Sequence, residues 1–164
     1  MRYVISVWTE DNPGVLCRIA GLIFRRGYNV ESLSVGRING SGISRFTIVF
    51  EGDEGVLKQV TSQLKKLVEV IAVEELTNGG FVERELSLIK VESKAGERPE
   101  VFQLADVFRA HVIDVGEEGI VVEVTGDKDK INACINAFKP YGIKELACSG
   151  SVAMKRVGFN GGRK

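Results

Sequence analysis

Apolar positions along this chain alternate between two periods. From Tyr3 to Thr9, YVISVWT is β-rich with rough alternation, and Val15, Leu16, Ile19, Ala20, Ile23 and Phe24 then recur at helical spacing between Gly14 and Arg26. A strand and an amphipathic helix are predicted. Gly27, after Arg25-Arg26, supplies the glycine and the cations expected where a helix ends. NVESLSVG and ISRFTIVF alternate on either side of the glycine-rich RINGSG, which predicts a hairpin. Gly52-Asp53 opens a second helix with Val56, Leu57, Val60, Leu64 and Leu67 on one face, and EVIAVEEL, residues 69–76, closes as a strand. The order is βαββαβ.

After the turn-rich joint TNGGFV the same order begins again. ERELSLIKVE reads as a strand, PEVFQLADVFRA as a helix with Pro99 at its first position, and HVIDVG with GIVVEVTG as a shorter hairpin. Gly126-Asp127 opens a helix bearing Ile131, Cys134, Ile135 and Phe138, and IKELACSG is a final strand. Phe24-Arg25 and Phe108-Arg109 close the first helix of each half, a local echo that supports a repeat. The predicted fold is α+β: two tandem ferredoxin-like βαββαβ domains, each a four-stranded antiparallel sheet with two helices on one face. Domain one spans 1–77, a linker 78–82, and domain two 83–164, with VGFNGGRK at 157–164 as a loose tail. Units of this size bury proportionally little surface and leave sheet edges open, so dimerisation is expected.

Composition narrows the function. Lys plus Arg (22) balances Asp plus Glu (22), so no net positive field attracts nucleic acid or an anionic membrane. No apolar run reaches the roughly 18 residues that span a bilayer, and Met1-Arg2 leads straight into a strand, so a cytoplasmic protein is expected. Cys17, Cys134 and Cys148 have unrelated spacings and form no CxxC, and His111 is the one histidine, so no metal site and little general-base chemistry are predicted.

The loop EDNPGVL carries the first candidate site. Asn12 suits a helix N-cap and Pro13 the first helical position. Gly14 does not fit so simply, since a glycine in a first turn costs up to about 1 kcal/mol relative to alanine unless backbone must approach something closely. A helix start exposes unpaired N–H groups and partial positive charge, so Gly14, Val15 and Leu16 suit a small carboxylate. From these residues alone, cap and anion site both remain open. RINGSG lies between two strands, outside any phosphate-loop context, and although GRINGSGISRF is similar to the anion loop of acylphosphatases, that loop follows the first strand and this one the second. Phe46 and Phe50 share a face, as the base-stacking aromatics of an RNA-recognition module do, yet the chain lacks the accompanying basic pattern.

EDNPGVLCRIAGLIFRRGYNVESLSVG, followed by SRFTIVFEGDEGVLKQVTSQLKKLVEVIAVEEL, resembles the ACT domain of the small regulatory subunits of acetolactate synthase. The likeness continues through FVERELSLIKV and VFRAHVIDVGEEGIVVEVTGDKDKI to SGSVAMKR and so spans nearly the whole chain. It implies a non-enzyme that binds the large catalytic subunit, raises its activity and imposes feedback inhibition by valine or a related branched-chain amino acid. No cofactor is implied on this chain; thiamine diphosphate, magnesium and FAD are implied on the catalytic partner. The resemblance further implies a homodimer through the ACT domains, with the effector between the first strand-helix loop of one chain and the start of the second strand of the other. Those positions are Asp11, Asn12, Pro13, Gly14, Val15 and Leu16, with Asn29 and Val30. Helix-start amides would take the α-carboxylate, Asn29 would offer its amide to polar groups, and Val15, Leu16 and Val30 would line an apolar slot. The remaining readings are a stand-alone amino-acid sensor acting on another enzyme and, further off, an RNA-binding module.

Overall fold

In a computed structural model, which describes residues 1–94 and 96–158, the alternation in the first strand, β1 (Arg2–Glu10), turns Tyr3, Ile5 and Val7 onto one face. That face meets helix α1 (Val15–Arg25), whose buried stripe is Val15, Ile19, Leu22 and Ile23, at roughly 1.5–3 kcal/mol for each large side chain removed from water. The chain continues through β2 (Val30–Ile38), β3 (Ile43–Glu51), α2 (Glu54–Leu64) and β4 (Val70–Glu75). The sheet order is β2-β3-β1-β4 with antiparallel pairing, the topology expected of βαββαβ. Phe46, Ile48 and Phe50 from β3 join Leu57, Val60 and Leu64 from α2 in the same core.

The second repeat runs β5 (Phe81–Glu92), α3 (Arg98–Val107), β6 (His111–Val115), β7 (Gly119–Gly126), α4 (Lys128–Phe138), a 3-10 turn (Lys139–Tyr141) and β8 (Ile143–Cys148). Its order, β6-β7-β5-β8, reproduces the first sheet, and Ile89, Val122, Val101, Ile131 and Phe138 fill its core. Burial there pushes the Cys134 thiol up to about 11.

The caps at α2 and α4 follow the sequence reading: Asp53 accepts from the Val56 N–H and Asp127 from the Lys130 N–H, each at 2.9 Å. Other positions differ. Pro99 is the second residue of α3, after Arg98, and Phe108-Arg109 lies beyond the helix, with Arg109 left-handed at φ 50°. A short ninth strand, β9 (Val152–Lys155), pairs with β5 and makes the second sheet five-stranded. The chain divides into two compact units, Met1–Val82 with the chain from Ser151, and Glu83–Gly150. Where the sequence reading runs the second domain on from 83 to 164, the chain from Ser151 packs instead with the first unit, because Ala153 is buried among Val4, Val49 and Leu76. Of the expected loose tail 157–164, residues 159–164 lie outside the described residues.

Candidate functional site

The loop between β1 and α1 is built differently from its sequence reading. Asn12 is not the N-cap; Gly14 is, in the left-handed region at φ 86°, and Pro13 precedes the helix. An L residue disfavours that conformation, so the glycine is explained by backbone geometry before any ligand is invoked. A Cβ built at Gly14 would meet nothing within 4 Å, so space beside it is open. Asn12, whose side chain does not cap, donates from Nδ2 to Glu10 Oε2 at 2.9 Å.

The helix start is left without side-chain partners. No side chain caps α1, and its first turn holds no acidic residue, whereas Glu54, Glu100 and Asp129 occupy the first turns of α2, α3 and α4. No side chain compensates the first-turn dipoles of α1, and the Val15 N–H makes only a long bond, 3.4 Å, to the Asn12 carbonyl, which suits an anion from outside. Asn12, Pro13, Gly14 and Leu16 are exposed around it, with Leu16 at 45%.

Asp11 does not face this helix start as a free carboxylate. Its Oδ1 accepts from Ser44 Oγ at 2.9 Å, its Oδ2 pairs with Arg37 Nε at 2.7 Å, and its N–H donates to the Gly42 carbonyl at 2.9 Å. These three ties bind the loop to the β2–β3 hairpin. The hairpin predicted around RINGSG does not by itself point to Arg37, Gly42 or Ser44; the signal that finds them is strand register, since Thr9 lies opposite Ser44 and Glu10 opposite Ile43. Val15, expected in an apolar slot, is 5% exposed and belongs to the core of its own unit. Val30 is half-buried against that core and Asn29 is exposed just before β2. Loop residues 11–16 and the pair 29–30 thus flank α1 at its two ends in sequence, and β2 is an edge strand.

Residues 5–72 match the family described as the AHAS small subunit-like ACT domain, and residues 84–157 that described as the small subunit of acetolactate synthase. A probable acetolactate synthase small subunit from Archaeoglobus fulgidus is 50% identical over 156 residues, 95% of this chain and 98% of that protein. The chain belongs to the acetolactate synthase small-subunit family. Another member, from Aquifex aeolicus, is 48% identical over 94% of this chain and 81% of its own. The crystal structure of the small subunit from Thermotoga maritima superposes with a TM-score of 0.87 at 38% identity, covering 95% of this chain and 98% of that one. Both repeats, and not the ACT domain alone, are therefore features of the acetolactate synthase small subunits. Among the described residues no group of three or more His, Cys, Asp or Glu is placed to hold a metal ion, and no helix is long and apolar enough to cross a membrane.

Proposed function

We propose that this chain is the non-catalytic regulatory subunit of acetolactate synthase: it binds the large catalytic subunit, raises its activity, and transmits feedback inhibition by valine, leucine or isoleucine. The ACT domain, residues 1–77, holds the amino acid, and thiamine diphosphate, magnesium and FAD belong to the partner. The observation that carries the effector reading is the start of α1, uncapped by any side chain and free of acidic residues, beside an open left-handed glycine. There the Leu16 amide takes the α-carboxylate, joined by that of Val15 on release from the Asn12 carbonyl, to which it donates at 3.4 Å, while Leu16 and Val30 offer apolar surface to a branched side chain.

A homodimer through the ACT domains fits the unpartnered surface of the first unit. Leu16, Ala20 and Phe24 are exposed at i, i+4 and i+8 along α1, with Phe24 at 84%, and the edge strand β2 exposes Val35 and Ile38. Pairing two copies covers this stripe and edge and brings Asn29 and Val30 of one copy to the loop of the other.

Capture of the large acetolactate synthase subunit by the full chain, followed by activity assays with and without each branched-chain amino acid, tests the reading. Activation on capture and inhibition by at least one of the three are expected. A chain that binds the amino acid yet captures no large subunit would be a stand-alone sensor. Gly14→Asp removes inhibition and keeps activation, because a carboxylate there repels that of the ligand and fills its space. Wild-type valine affinity of this variant in titration calorimetry would move the site elsewhere.

A further inference from the structure

The face of the first sheet turned away from α1 and α2 carries Val4, Ser6 and Trp8 from β1 with Arg45 and Val49 from β3. The chain's own C-terminal strand lies against it. Ala153 of β9 is 1% exposed among Val4, Val49, Leu76 and Phe81. Its carbonyl accepts from Arg45 Nη2 at 2.7 Å and from Ser6 Oγ at 3.5 Å. The same guanidinium sits over the Trp8 ring, 4.8 Å from its centroid, so a desolvated cation holds the middle of β9.

Both ends are held as well. Lys155 pairs with Glu74, and the Arg156 N–H donates to the Gly80 carbonyl at 2.9 Å. At the other end the Ser151 N–H donates to Ser32 Oγ at 3.3 Å, and Arg2 reaches both Ser151 Oγ at 3.4 Å and Glu31 Oε1 at 3.3 Å. Glu31 and Ser32 follow Asn29 and Val30 directly in the chain. The β2–β3 register shifts between Val30 and Ser32, so the ladder is interrupted where the proposed effector sits. Ser151 is also the residue at which the chain passes back from the second unit into the first.

We infer that residues 151–156 form a latch through which an amino acid held at Asn29 and Val30 is sensed by the rest of the subunit. Occupancy repositions the irregular start of β2, Ser32 and Glu31 carry that shift to Ser151, and strand β9 of the same unit moves with it. Coupling of this kind requires contacts that differ between two states, and the Ser32–Ser151 bond and the Arg2 bridge are contacts able to differ. The latch rests on the effector site proposed above and adds the route by which that site regulates.

The full-length chain in complex with its catalytic subunit tests it, using Ser32→Ala, Lys155→Glu and the swap Lys155→Glu with Glu74→Lys. Expected for each single variant is valine affinity within about twofold of wild type by calorimetry, undiminished activation, and a half-inhibition concentration raised at least about fivefold, the lower end of usual coupling factors. The swap restores inhibition. Half-inhibition values of both single variants within about twofold of wild type overturn the latch while leaving the effector site standing. Hydrogen exchange on the wild-type chain gives an independent check: valine must alter exchange at residues 151–156, and unchanged exchange there overturns it too. Absence of any branched-chain amino-acid binding to the wild-type chain overturns the effector site, and the latch with it.

Discussion

Gly14 separates two explanations that a sequence leaves mixed. Its φ of 86° makes any L side chain unfavourable, while the absence of atoms within 4 Å of a built Cβ means that alanine there would clash with nothing in the chain itself. Gly14→Ala is therefore expected to cost about 1–2 kcal/mol of stability in urea unfolding, and Gly14→Asn less, because asparagine tolerates the left-handed region. Loss of effector affinity in Gly14→Ala beyond what the stability change explains would locate the ligand in the open space beside it. Cys134 differs from Cys17 and Cys148 in being buried. With its thiol pushed up to about 11, it carries roughly a thousandth of the thiolate at pH 8, whereas Cys17 and Cys148 are exposed. Peptide mapping after maleimide treatment should find Cys134 modified last, and rapidly only in denaturant. Raising the pH towards 11 increases its thiolate fraction, so its labelling accelerates in that direction.

Among the secondary-structure elements, those closed by local chemistry were legible in the sequence. Asp53 and Asp127 were readable as caps because the acceptor and its N–H lie three residues apart, and Asp→Ala at either should cost about 0.5–2 kcal/mol in thermal or urea unfolding. Arg109, left-handed after α3 where the first repeat places Gly27 after α1, was not legible, since the pair Phe108-Arg109 copies Phe24-Arg25 in letters but not in position relative to the helix end. Arg109→Gly should raise stability by up to about 1 kcal/mol, the relief of the left-handed backbone exceeding the added freedom of the unfolded chain. The stripe Leu16, Ala20 and Phe24 is exposed along α1. Phe24→Glu is expected to shift the dimer towards monomer in sedimentation and to remove the amino-acid response with it, because the proposed site needs two copies.

For the molecule as a whole, ligand binding and association are coupled. An amino acid that binds only the assembled ACT dimer stabilises it by about 2.7 kcal/mol at a hundred times its Kd, so thermal unfolding should shift upward with valine, leucine or isoleucine. The shift should also grow with protein concentration. Surface pairs such as Lys90 with Glu145 and Lys144 with Glu92 are exposed and contribute little, so salt should weaken stability only slightly.

The sequence by itself determined the βαββαβ order, its repetition, two helix caps and the family, because each rests on periodicities, short spacings or motifs that local chemistry imposes. It left Asn12 and Pro13 in the wrong cap positions, because backbone dihedrals at a loop depend on what the loop is tied to. Those ties are tertiary: Asp11 to Arg37 and Ser44, Ala153 to Arg45 and Ser6, Ser151 to Ser32. Partners separated by 26 to 147 residues leave no local period to read, and only the folded sheet brings SVAMKR onto the domain at the other end of the chain.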